Sequence, residues 1–169
     1  RPMIIAGGGA INSGDALARI AAAIDSPIVL TGNAKGVVSS THPLCVGSAL
    51  VIPRIQDEIE QSDVVLVAGS ELSDADLYNG GRAFQFSGKV IRIDIDAEQM
   101  QRRVIPEISL HGEVAGSSLH PRFSRVCGLG LVAPDADLTR TLAGLRDVVR
   151  RPMREWSSPA RRRRRSPPR

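Results

Sequence analysis

Through residues 1–113 of this 169-residue chain, strand signals alternate with helix signals, and no other feature constrains the fold as strongly. "PMIIAGG" is a short apolar run that ends in glycines. "SGDALARIAAAI" follows, with Leu17, Ile20, Ala21 and Ile24 at helical spacing, Ser13 in position to cap and Asp15 in the first turn. Pro27 stops that helix, and "PIVLT" reads as a second strand. "IPRIQDEIEQS" puts Ile52, Ile55 and Ile59 on one helical face, and "DVVLVAGS" is a third strand. An irregular stretch holding Tyr78, Gly80 and Gly81 leads to "GKVIRIDID", and "EISLHG" is a short last strand. "DVVLVAGS" is apolar throughout, as central parallel strands covered on both faces usually are, whereas "IRIDID" alternates apolar and charged residues. Strands linked by crossover helices predict an α/β fold with a parallel sheet.

After Gly112 the periodicity decays. The expected organisation is a domain over 1–113, an irregular segment over 114–155 and a disordered tail over 156–169. Within the irregular segment, Leu138, Leu142, Leu145 and Val149 predict a helix over 136–150. The tail, "SSPARRRRRSPPR" with its lead-in, is too poor in apolar surface to offset the entropy of ordering. Charge divides the same way. Residues 1–112 hold 9 Lys and Arg against 13 Asp and Glu, a net −4, whereas 113–169 hold 13 arginines against 5 acids, a net +8. An arginine run can attract nucleic acid through counterion release, but no aromatic residues interleave with it and no nucleic-acid module is recognisable, so a nucleic-acid partner is not expected. Thirteen basic residues without one lysine also fit translation of a GC-rich gene in a shifted frame.

No apolar run approaches the roughly 20 residues of a membrane span, and the start, "RPMIIAGGGA", does not read as a secretory signal. Cys45 and Cys127 lack a C-x-x-C partner, and His42, His111 and His120 complete no metal spacing, so ordinary thiols in a reducing cytoplasm are expected and no metal ligand is assigned.

Several motifs invite a chemical reading. "TGNAKGVVSS" sets Lys35 between Gly32 and Gly36, but it has the wrong spacing for G-x-x-x-x-G-K-[ST] and Val37 stands where a hydroxyl is needed. "IAGGGAINSG" lies between a strand and a helix, where a phosphate would be favoured, yet Gly7, Gly9 and Asn12 break G-x-G-x-x-G. Nor does Thr31 to Asn33 supply the acid that a dinucleotide site places after its second strand. Two readings remain open for this turn: close packing of strand and helix, or a face for a phosphate-bearing ligand. Asp94 and Asp96 lie on one side of an extended chain, placed either to accept ribose or ring hydrogen bonds or to cap a helix over "AEQMQRR". Asp74 and Asp76 have no third ligand at a sensible interval and read as loop caps. Asp63 reads as a polar residue at the start of its strand.

Taken in order, "RPMIIAGGGA", "SPIVLTGNAKG" with "HPLCVG", "SDVVLVAGSEL" and "KVIRIDIDAEQMQRRVIPEISLHGE" resemble the central domain of thiamine-diphosphate-dependent enzymes of the acetolactate synthase and 2-oxo acid decarboxylase family. "ELSDADLYNGG" and "VIPEISLHG" look closest to the 5-guanidino-2-oxopentanoate decarboxylase and acetolactate synthase-like branches. The resemblance implies a Rossmann-like, doubly wound sheet in three αβα layers, and a crevice at the carboxyl ends of the strands that holds FAD in the flavin branch. Carried over by position, the cofactor-binding candidates are Gly7, Gly8, Gly9, Thr31, Lys35, Gly69, Asp94, Ile95 and Asp96. Flavin-binding relatives carry an aspartate pair followed by arginine after the third strand, and His-Gly where this chain has His42-Pro43. Here "SELSDADLYNG" has acids without the arginine. FAD or ADP remains an open expectation. The resemblance also implies that thiamine diphosphate and Mg²⁺ bind on two other domains, which hold the aminopyrimidine and the diphosphate. Those domains would be the partners of this one in a homo-oligomeric enzyme. No catalytic residue is assigned to this chain, which by this reading is a fragment inactive alone. The alternatives are an independent regulatory domain binding FAD, NAD or ADP and, behind it, a nucleic-acid binder acting through the arginine tail.

Overall fold

The computed structural model describes residues 1–81 and 84–114. The helix expected over 136–150, the rest of the 115–155 segment and the tail 156–169 lie outside the described residues. Six parallel strands form one sheet: β1 (Pro2–Ala6), β2 (Ile28–Leu30), β3 (Cys45–Gly47), β4 (Val64–Ala68), β5 (Lys89–Asp94) and β6 (Ile108–His111). Two helices cross between them, α1 (Gly14–Ile24) after β1 and α2 (Pro53–Glu60) before β4. The strand order is β3-β2-β1-β4-β5-β6. It runs outward from β1 in both directions and so creates a topological switch point between β1 and β4, the place where open α/β sheets bind ligands beyond their carboxyl ends.

The uniform apolarity of β1, β2 and β4 follows from this layering, because alternate residues enter separate cores. Ile4 and Ala6 of β1, Ile28 and Leu30 of β2, and Leu66 and Ala68 of β4 pack with Leu17 and Ala21 of α1. Met3 and Ile5, Val29, and Val65 and Val67 pack on the other face with Ile55 and Ile59 of α2. Ile20 and Ile24 are half-buried against the first core, completing the stripe read from the sequence. The fold is the doubly wound α/β arrangement expected.

Three local expectations are corrected. "LCVG" reads as loop but Cys45–Gly47 is an edge strand, paired with β2 through the irregular register Ile28 to Cys45 and Val29 to Gly47. A three-residue strand with one ladder partner gives too short an apolar signal to separate from a turn. "AEQMQRR" yields only a 3-10 turn, Gln99–Gln101, and Arg102 leaves it with extended ψ. Ser13 occupies the residue before α1 but forms no side-chain cap; its carbonyl accepts the Leu17 amide at 2.9 Å. Asp25 ends α1 in the left-handed conformation that closes many helices.

Candidate functional site

Both arms of the switch point end in glycine turns, and these touch. After β1 the chain enters a 3-10 turn, Gly8–Ala10, and after β4 it turns at Gly69, whose φ is +59°. The Gly7 amide donates to the Ala68 carbonyl and the Gly9 amide to the Gly69 carbonyl, both at 2.9 Å. A side chain on Gly7 would collide with the Gly69 carbonyl and Ser70, and one on Gly69 would stand 2.6 Å from the Gly9 carbonyl carbon. Of the two readings left open for this turn, close backbone packing is realised directly: the glycines let β1 and β4 meet without a gap.

A second 3-10 turn, Gly32–Ala34, follows β2 and packs beside the first, with a Cβ on Gly8 falling 3.3 Å from that of Asn33. Such turns leave their opening N–H groups without an intrahelical acceptor. Here those groups are on Gly8, Gly32 and Asn33, all at the carboxyl edge of the sheet. Thr31 is buried and serves through its backbone, donating to Ala6 and accepting from Ala34. Lys35 is exposed at the end of the second turn, just before Gly36 with φ +88°.

Beyond β5 the two aspartates act as caps. Asp94 Oδ1 accepts the Asp96 amide at 3.0 Å, and Asp96 Oδ1 accepts those of Glu98 and Gln99 at 2.9 and 3.1 Å. Each spends one oxygen on the turn. Between them Ile95 is 68% exposed, a large apolar side chain at the sheet edge matched after β1 by Ile11 at 67%. The Ile95 carbonyl is fixed by His111 Nε2 at 2.8 Å. The topology thus sets the glycine turns, Thr31, Lys35, Gly69 and Asp94–Asp96 along one edge of the sheet.

The acid-rich loop after β4 shows what spacing could not. Ser73 Oγ contacts Asp76 Oδ2 at 2.8 Å, a local cap as read from the sequence. Asp74 instead pairs at 2.7 Å with Arg103, which arrives from the connection between β5 and β6. Its hydrogen bond holds the Asp74 carboxyl below the ordinary value, and the same bond raises Arg103. A depressed carboxyl contributes to stability above its unfolded value and loses that contribution as pH falls through the folded one. NMR titration of the Asp74 carboxyl carbon should therefore give a midpoint below that of an ordinary aspartate, and Arg103→Gln should restore it. Because both groups are exposed, added salt should erase most of the difference. A midpoint unmoved by Arg103→Gln would show that the pair does not persist in solution.

Sequence reasoning missed Arg92. The alternation of apolar and charged residues in "IRIDID" prompts no reading of it, but β5 is flanked by β4 and β6, and Arg92 is fully buried. Burial lowers its pKa, partly opposed by Asp94.

This fold, with its glycine turns meeting at the switch point, defines a doubly wound parallel α/β domain, and comparison with known proteins narrows the class. The family described as "Thiamine pyrophosphate enzyme, central domain" matches residues 1–120, and the chain belongs to it. A probable 2-ketoarginine decarboxylase of Pseudomonas aeruginosa is 33% identical over 113 residues, 67% of this chain and 20% of that protein. A probable acetolactate synthase large subunit of Methanocaldococcus jannaschii is 32% identical over 117 residues, again 67% and 20%. The 2-hydroxyacyl-CoA lyase 1 of Dictyostelium discoideum is 33% identical over 121 residues, with the same coverage. The chain thus spans about a fifth of the length of the curated relatives it matches.

Thiamine diphosphate with Mg²⁺ belongs to this family, but the described residues do not fit that group. No set of three or more His, Cys, Asp or Glu among them is placed to hold a metal ion. No helix among them is long and apolar enough to cross a membrane.

Proposed function

We propose that this chain is the nucleotide-cradling central domain of a thiamine-diphosphate- and Mg²⁺-dependent enzyme that decarboxylates or carboligates 2-oxo acids. In this reading the chemistry is carried by a cofactor held on other domains, and the central domain supplies position and a ligand crevice. The observation that carries the crevice is the meeting of the Gly7–Gly9 turn with Gly69 at the β1–β4 switch point. There the open amides of Gly8, Gly32 and Asn33 suit phosphate oxygens. Exposed Ile11 and Ile95 suit the faces of a base, and Asp94 and Asp96 each keep one carboxylate oxygen for ribose or ring donors. Lys35 adds the one positive side chain among the candidates. ADP is the minimal ligand of that description, and FAD contains it. The printed functions of the relatives support the reaction class. We take the parent enzyme to be cytoplasmic and a homo-oligomer like others of its class.

Calorimetry on the 169-residue chain tests the cradle. Binding of ADP or FAD that weakens in Lys35→Ala and Ile95→Asp is expected, and silence from both ligands would remove the nucleotide role. The same protein, given thiamine diphosphate, Mg²⁺ and 2-oxo acids, should release no carbon dioxide. Measurable turnover would show that the catalytic groups lie on this chain after all.

A further inference from the structure

Arg92 is the largest fully buried side chain among the described residues, and it forms no ion pair among them. A buried cation without a direct ion-pair partner is costly, and an apolar side chain of similar size is often at least as stable. What Arg92 gains is a set of backbone carbonyls. Its Nη1 donates to Gln99 O and Arg102 O at 2.9 Å and to Met100 O at 3.4 Å. Its Nη2 donates to Ser70 O, while Nε has no partner. Ser70 follows β4 and residues 99–102 follow β5. One guanidinium therefore joins the two connections that leave neighbouring strands at the carboxyl edge.

Both connections need holding. Each contains a non-glycine residue in the left-handed region, Leu72 at φ 53° and Arg103 at φ 69°. Side chains make that conformation unfavourable, and it persists only where the surroundings over-determine it. Leu72 is fully buried and its amide donates to Ser70 Oγ at 3.1 Å, next to the carbonyl that Arg92 grips. Arg103 directly follows Arg102, whose carbonyl Arg92 also grips, and its own side chain reaches Asp74 at 2.7 Å on the outside. His111 ties the same turn to β6 through the Ile95 carbonyl.

We propose that Arg92 is a positioning residue, an internal clasp that makes the connections at 70–77 and 95–104 a single rigid wall beside the switch point. The clasp stands without any ligand. Its bearing on nucleotide affinity rests on the reading above, since Ile95 and Asp96 belong to that wall.

Hydrogen exchange on the full chain tests it with Arg92→Lys and Arg92→Met. Lysine keeps the charge but cannot span carbonyls on both connections, whereas methionine removes the cation. In both variants, amides of Leu72–Leu77 and Gln99–Val104 should exchange at least about tenfold faster, while those of β1 and α1 stay within about twofold of the parent. Unchanged exchange in those segments, or an equal rise everywhere, would overturn the clasp. If Arg92→Met does not fold, the lysine variant decides. ADP titration of the parent and Arg92→Lys separates the two ideas. Binding that falls about tenfold with the local loosening supports both. A parent that ignores both ADP and FAD sinks the nucleotide role, while the exchange pattern alone continues to judge the clasp.

Discussion

Gly69→Ala should destabilise the domain by about 3 kcal/mol, whereas Gly36→Ala should cost only about 1 kcal/mol. Both glycines have positive φ, at +59° and +88°, so each substitution carries a left-handed penalty. They differ in what the new methyl meets. Nothing lies within 4 Å of a Cβ on Gly36, while one on Gly69 stands 2.6 Å from the Gly9 carbonyl carbon and 2.7 Å from the Ala10 amide nitrogen. Those are backbone atoms of a turn already held by the Gly9 to Gly69 hydrogen bond, so they cannot swing aside as a side-chain tip would. Relief requires that β1 and β4 separate at their carboxyl ends, which opens both cores. Urea unfolding of the two variants against the parent measures the contrast. Equal costs would mean that the turns give way easily and that the close contact is not a design constraint. The functional corollary is local: if the turn after β1 moves, the Gly8 amide moves with it.

The sheet was legible in the sequence because parallel strands covered on both faces must be apolar at nearly every position, and "PMIIA" and "VVLVA" have that character without ambiguity. The two helices were legible because Leu17 with Ala21, and Ile55 with Ile59, repeat at helical spacing. β3 was not, since "CVG" is three residues with an irregular register. The 3-10 turn after β5 was not either. Its sequence, "AEQMQRR", has good helix formers, but Arg102 leaves the turn with extended ψ while the carbonyls of Gln99, Met100 and Arg102 accept from the Arg92 guanidinium. Tertiary contacts at this turn, not local propensity, set its length. The site divides similarly. That Asp94 and Asp96 would cap a turn was readable from spacing, whereas the Asp74–Arg103 pair and the burial of Arg92 depend on which strands become neighbours. No local pattern encodes that order; it emerges from strand pairing across the switch point.

Central placement of β1 sets the other large expectation. Ile4 and Ile5 are both fully buried but belong to different cores, Ile4 with Leu17 and Ala21 of α1, Ile5 with Ile55 and Ile59 of α2. Truncation to alanine at either position should cost about 3–4 kcal/mol, the transfer loss plus a cavity that flanking strands on both sides prevent from collapsing. Because the sheet separates the two cavities and they share no side-chain neighbours, the costs should add to within about 0.5 kcal/mol despite adjacency in the chain. The double variant would then lose roughly 7 kcal/mol, comparable with the whole stability of an ordinary domain, and should not hold a cooperative fold. Valine keeps the comparison measurable: Ile4→Val and Ile5→Val remove one methylene each, at about 1 kcal/mol, and the pair should unfold in urea with the sum of the single losses. A strongly sub-additive pair would mean that the two voids relax together through the strand, which is incompatible with two cores kept apart by a rigid sheet. The same rigidity is what lets the switch point present its turns in fixed positions, so additivity at Ile4 and Ile5 bears on the crevice as directly as on the fold.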